Sequence, residues 1–173
     1  SEHLNPVIGT RAFSEDAGEV AKAVALAVKT FAEEGILTSI KHFPGHGSSI
    51  GDSHFELPSL DRTLDELREK DIVPFIKGIE AGADTVMTAH VAPRGRGIPV
   101  SLDPAIVRGI LRNQLGFGGV IITDGLEMGG ILTGAGLVGA ARDFVARGEG
   151  AVVRSGGERR RLGIREVVSC IKP

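Results

Sequence analysis

Short apolar runs alternate along this chain with longer segments whose apolar positions recur every three or four residues, a pattern that predicts strands and helices in turn. The first periodic segment runs from Ser14 to about Glu34. Val20, Val24, Val28 and Phe31 share a face there, Ser14 can cap it, and Glu15 and Asp16 suit its positive end. Gly35 closes it, and "ILTSIKHF" then reads as a short buried strand that delivers Lys41 and His42 at its end. A second helical stretch covers about Asp61 to Gly82, with Pro74 marking a break or a new first turn. "DTVMTAH" predicts the next strand, ending at His90, and a helix follows from Asp103 to Gln114 with Pro104 in its first position. "GGVIITD" predicts a third strand, ending at Asp124. "AARDFVARGEG" predicts a further helix and "AVVRS" a fourth strand, while the basic tail "GERRRLGIREVVSCIKP" shows no clear pattern.

Helices that alternate with strands in this way predict parallel strands joined by crossovers. The near-continuous apolar character of each strand agrees, since helices would cover it. Each of the first three strands ends on groups able to do chemistry: Lys41 and His42, then His90, then Asp124. A (β/α)8 barrel of the TIM type collects its active site at those strand ends, and an open α/β sheet also binds ligands there. The barrel is the preferred expectation. Such barrels usually run to about 250 residues, so the predicted fold is an incomplete one, lacking its first strands and divergent at its C-terminal part. The whole of residues 1–173 is read as a single partial catalytic domain.

Composition narrows the function more than the fold. A hydrophobic content of 42%, a charged fraction of 24% and a net charge of -2 describe a globular protein with no electrostatic footprint for nucleic acid. Trp and Tyr are absent, so no aromatic platform for stacked bases is expected. No apolar run approaches the roughly 18 to 20 residues of a membrane span. No GxGxxG follows a strand and no GxxxxGK[ST] occurs, so no nucleotide cofactor is expected. Cys170 is the only cysteine, which rules out an intrachain disulfide and a cysteine-based zinc site. A cytoplasmic location fits this. The absence of an initial Met leaves the N-terminus looking truncated, so an original targeting signal is open.

The chemistry concentrates in "KHFPGHGSSIGDSHFELP", residues 41–58, which holds His42, His46 and His54 in a glycine-rich loop. Turns need glycine, proline and serine; they do not need histidines. Asp52 and His54 are two residues apart and point the same way in an extended segment. The carboxylate can then bond one ring nitrogen and fix the tautomer, leaving a general acid/base suited to neutral pH. Satisfaction of nearby backbone groups is the plainer role for the pair. Asp124 either stands at the mouth of the sheet beside Gly125 or caps a helix beginning near Leu126. Lys41, His42 and His46 either meet a polar substrate or pair internally. His42 and His46 have metal-ligand spacing, but Pro44, Gly45 and Gly47 oppose the helix that spacing needs, so no metal is expected. His90 is expected to hydrogen-bond internally, Arg94 and Arg96 to lie in a solvated loop, and Glu127 to start a helix.

"KHFPGHG…DSH…LP", "AGADTVMTAH" and "LGFGGVIITDGLEM" together resemble the catalytic barrel of glycoside hydrolase family 3, in its β-N-acetylhexosaminidase branch; "NPVIGTRAFSED" matches the segment before them. The resemblance covers about residues 5–132, with an uncertain tail over 133–173. It implies a retaining hydrolase that releases terminal β-linked N-acetylglucosamine, often from peptidoglycan fragments, without metal or other cofactor. Asp124 would be the nucleophile, Asp52 and His54 the acid/base dyad on a mobile loop, and Arg11, Lys41 and His42 the sugar-binding groups. Its partner would be a small carbohydrate.

The sequence departs from that pattern in two respects. An earlier-strand aspartate of the family has no counterpart here, and Gly125 replaces an acidic residue common in the branch. An unclosed barrel would expose edges and apolar faces, so it would need a partner, a domain swap or self-association with another copy to close. Two other functions stay open: an N-acetylglucosaminide phosphorylase, and an inactive sugar-binding or interaction fragment.

Overall fold

A computed structural model describes residues 8, 11–49, 52–126 and 128–132. The first helix, α1, spans Ala17–Glu33. Its cap is Asp16, whose side chain accepts from the Glu19 amide at 2.8 Å. Ser14, the expected cap, instead accepts from the Asp16 amide at 3.1 Å. The cap thus falls two residues later because Ser14 orients the capping residue itself. The buried stripe of α1 is Ala21 and Val28 with Val24 beside them, and it packs on the later helix Val73–Glu80. Phe31, expected on that stripe, is 49% exposed.

Strand β1, Ser39–Phe43, follows α1 and contains cis peptide bonds at Lys41–His42 and, just after it, Phe43–Pro44. After the histidine-rich loop come a short strand β2 (Ser59–Leu60), α2 (Leu64–Glu69) and α3 (Val73–Glu80). The single helical stretch expected over 61–82 is therefore two helices, with Pro74 in the first turn of the second. Strand β3 is Thr85–Thr88, β4 is Ala92–Pro93 and β5 is Val120–Thr123. The last described element is α4, Gly129–Leu132.

Between β4 and β5 the expected α-helix is a π-wound helix, Ala105–Gln114, preceded directly by Pro104. The wider winding shows at its end, where the Leu115 amide donates to the Ile110 oxygen. Ile106, Val107, Ile110 and Leu111 are its buried residues, and that spacing fits either winding. Arg112 then fixes the turn into β5: its Nη1 donates to the Phe117 and Gly119 oxygens, and its guanidinium lies over the Phe117 ring.

The main sheet is parallel, in the order β1-β3-β5. Ile40 stands beside Val86, and Val86 beside Ile121, so the three strands end together. A small second sheet pairs β2 with β4, also in parallel. Phe43, Val86, Ile121, Leu67 and Leu111 belong to one buried cluster, with Phe43 edge-on to Phe75. Gly78 lets α3 close on both neighbours, since a Cβ there would meet side chains of Ile40 and Val24 at about 3 Å. The described residues thus form an α/β unit with parallel sheets. The expected fourth strand and the helix over 140–150 lie outside them, as does Glu127. No described helix is long and apolar enough to cross a membrane.

Candidate active site

The parallel register brings the ends of β1, β3 and β5 side by side, and with them Lys41–His42, His90 and Asp124. His42 is buried and Lys41 exposed. The His42 Nε2 lies 3.6 Å from Asp124 Oδ2. Burial pushes the His42 ring down to about 3, more than the Asp124 carboxylate can offset, and Lys41 adds to the depression. The contact is therefore between a neutral imidazole and a carboxylate. The His42 Nδ1 is buried and has no hydrogen-bond partner among the described residues.

Asp124 does not cap a helix, since the next one starts only at Gly129. Its backbone amide donates to the Thr88 oxygen, and its Oδ1 accepts from the Gly125 amide at 2.8 Å. The carboxylate stays partly open, at 24% side-chain exposure.

Asp52 and His54 pair as expected. Asp52 Oδ1 accepts from both the His54 amide at 2.9 Å and the His54 Nδ1 at 2.6 Å. The amide contributes most to holding the Asp52 carboxyl below its usual range. Because a carboxylate only accepts, Nδ1 carries the proton of this bond. The His54 side chain is 60% exposed.

His46 is not a surface group. It is buried, with Nε2 at 2.9 Å from the Ser53 hydroxyl and Nδ1 at 2.9 Å from that of Ser49. Burial is the main cause of its lowered basicity, with Asp124, Asp52 and His54 all acting on it. His46 therefore sits within electrostatic range of both carboxylates and of His54. His90 is also internal, held by Ser101 and by the Gly125 oxygen. Arg11 is exposed, and its charge acts on His42. Among the described residues no group of three His, Cys, Asp or Glu side chains is gathered as metal ligands would be.

Several supports were not visible in the sequence. Asp71 accepts from Arg62 at 2.6 Å and from the Ser48 hydroxyl, bracing the far side of the loop. Gly45 packs against it at φ +142°, where a Cβ would stand 2.6 Å from the Asp71 Cβ. The nearest signal was Gly45 itself. Arg94 and Arg96 were expected in a solvated loop; Arg94 is exposed there and pairs with the exposed Asp61, whereas Arg96 pairs with the buried Asp103. A buried carboxylate two residues before the π-wound helix requires such a cation.

The described residues form an α/β unit with parallel strands, and His42 and Asp124 gather where those strands end, the place where such folds bind ligands. The sequence pattern of the Glycosyl hydrolase family 3 N terminal domain matches residues 1–149, and the chain belongs to that family. The match extends past the 5–132 span of the resemblance. A β-hexosaminidase of Stenotrophomonas maltophilia (strain R551-3) is 46% identical over 125 residues, which is 72% of this chain and 37% of that protein. The structure of a family 3 β-N-acetylglucosaminidase from Paenibacillus sp. str. FPU-7 superposes with a TM-score of 0.82 at 37% identity, covering 87% of this chain and 30% of that one. NagZ from Neisseria gonorrhoeae, in complex with N-trifluoroacetyl-D-glucosamine, gives 0.76 at 35% identity over 88% and 46%. The chain thus spans less than half the length of each of these relatives.

Proposed function

We propose that this chain carries the catalytic centre of a retaining β-N-acetylhexosaminidase acting on terminal β-linked N-acetylglucosamine. The observation that carries the reading is the Asp52–His54 pair, joined at 2.6 Å on a loop that leaves the same strand end as His42, itself 3.6 Å from Asp124. A carboxylate and a separately supported imidazole can divide a double displacement between them. An Asp124 oxygen attacks the anomeric carbon while its bond to the leaving oxygen breaks, and that oxygen takes the proton from His54 Nε2. In the second step His54 removes a proton from water, whose oxygen attacks the same carbon and releases Asp124. The two-carboxyl pattern of most glycosidases has known exceptions, and this would be one.

Arg11, Lys41 and His42 are the sugar-binding groups in this reading, and the unpartnered His42 Nδ1 supports a hydroxyl contact. The complete fold would be a (β/α)8 barrel, closed through self-association or further chain. A cytoplasmic site of action belongs to the same proposal, supported by the single cysteine. No cofactor is required by the steps.

The test is release of chromophore from an aryl N-acetyl-β-glucosaminide by this chain and by its Asp124→Asn variant. Turnover in the first, reduced at least about a thousandfold in the second, is expected. Background signal from both, in folded samples, would leave the inactive sugar-binding fragment. A second reading, phosphorolysis, is favoured by the imidazole itself, which repels an anionic acceptor less than a carboxylate would. Sugar 1-phosphate formed when phosphate is added would establish it in place of hydrolysis.

A further inference from the structure

The His54 side chain is too exposed for packing to fix it, so its position depends on what holds its backbone. Two glycines of α4 do so. The Gly129 amide donates to the His54 oxygen at 2.9 Å, and the Gly130 amide donates to the Ser53 oxygen at 3.0 Å. Opening amides of a helix have no partner inside it, and here the loop's own carbonyls supply one.

The approach also excludes side chains. A Cβ on Gly129 would stand 2.4 Å from the Phe55 oxygen. One on Gly130 would stand 2.8 Å from the Glu56 oxygen, 3.0 Å from that of Ser53 and 3.1 Å from that of His90. These are backbone atoms and cannot swing aside. The same short segment begins at Asp124 and is tied at Gly125 to His90. Residues 124–130 therefore hold a carboxylate at one end and the peptide of His54 at the other.

We infer that Gly129 and Gly130 are positioning residues for His54, setting the acid/base against Asp124 through backbone contact alone. The inference rests on the proposed glycosidase reading for its catalytic consequence. A methyl group at either position displaces residues 53–56 and leaves the Asp124 side chain in place. Nucleophilic attack is then retained, while proton transfer is lost.

The experiment compares Gly129→Ala and Gly130→Ala with the unaltered chain and with Gly97→Ala, whose added Cβ meets nothing within 4 Å. Amide hydrogen exchange over residues 53–56 is expected to rise at least about tenfold in the two variants and not in the control. Turnover of aryl glycosides with poor leaving groups should fall by about 100-fold or more, the usual worth of an acid/base. Substrates with activated leaving groups should lose far less, and azide, which needs no base, should restore release of the glycosyl-enzyme. An equal fall across leaving groups without azide rescue would overturn the positioning role, as would unchanged exchange or unfolding of both variants. If the unaltered chain has no turnover, the glycosidase reading falls. Exchange and the His54 ring NMR shifts then decide the latch separately, and no change in either variant would overturn it.

Discussion

His90 donates from Nε2 to the Gly125 oxygen, 3.0 Å away, and so ties the segment after β3 to the residue following Asp124. A carbonyl only accepts, so Nε2 carries the proton of this bond, while Nδ1 lies 2.8 Å from the Ser101 hydroxyl, which can donate or accept. The ring is fully buried. The ring acts as a two-ended spacer between strand ends.

His90→Phe keeps the volume roughly and removes both bonds, leaving the Gly125 oxygen only the longer contact from the Met128 amide at 3.2 Å. A loss of about 2–3 kcal/mol is expected in urea unfolding. Ser101→Ala, which removes one bond, should cost about 1 kcal/mol.

Acidification should weaken the fold from about pH 6.5 downward. His42 has a folded value of about 3 against an ordinary 6.5, so between those limits the unfolded chain binds the extra proton. Stability from this residue is complete above about pH 6.5 and is lost as pH falls towards 3, with a slope near 1.4 kcal/mol per pH unit. His46 is shifted in the same direction and adds to the slope. Asp52, with its carboxyl held below 3.8, adds a further loss only below that value. Urea midpoints measured from pH 7 to pH 4 should fall steadily, and less steeply in His42→Gln.

Asp71 is the brace of the histidine loop. Asp71→Ala strips the Arg62 guanidinium of a mostly buried carboxylate and the Ser48 hydroxyl of its acceptor. The expected cost is about 3–5 kcal/mol, read from denaturant unfolding. Gly45→Ala should weaken the same contact, by about 1–3 kcal/mol, since it adds a clash to a positive φ.

Arg112→Lys tests the turn into β5. A lysine cannot reproduce two bonds from one planar head together with stacking on Phe117. About 1–2 kcal/mol should be lost, with a lower thermal midpoint.

The strands were readable because burial by helices makes them short continuous apolar runs, and β1, β3 and β5 lie within the runs that pattern marks. The histidine loop was readable because turn chemistry leaves its histidines unexplained. Other features depend on contacts between distant residues. Arg96 looks like any loop cation until Asp103 is seen buried beside it. Whether Ile106 to Leu111 wind as α or π does not alter which of them are apolar. Ser14 and Asp16 are both good caps, and only the backbone geometry separates them. Gly129 and Gly130 carry no local signal, because what they approach is a loop more than seventy residues earlier.

The sheet order sets the reach required of that loop. It leaves the end of β1, yet its backbone is bonded to the segment beyond β5, with β3 lying between. Adjacent strands are about 4.8 Å apart, so the crossing is roughly 10 Å. The fifteen residues from Pro44 to Pro58 must go out, turn and return to β2. At about 3.3 Å per extended residue, His54 could cover the distance in three or four residues, while His46 to Ser49 are taken up by the turn that buries His46. Chain length here works as a measuring rod: shortening the turn would draw His54 back towards β3 and away from the segment that follows Asp124.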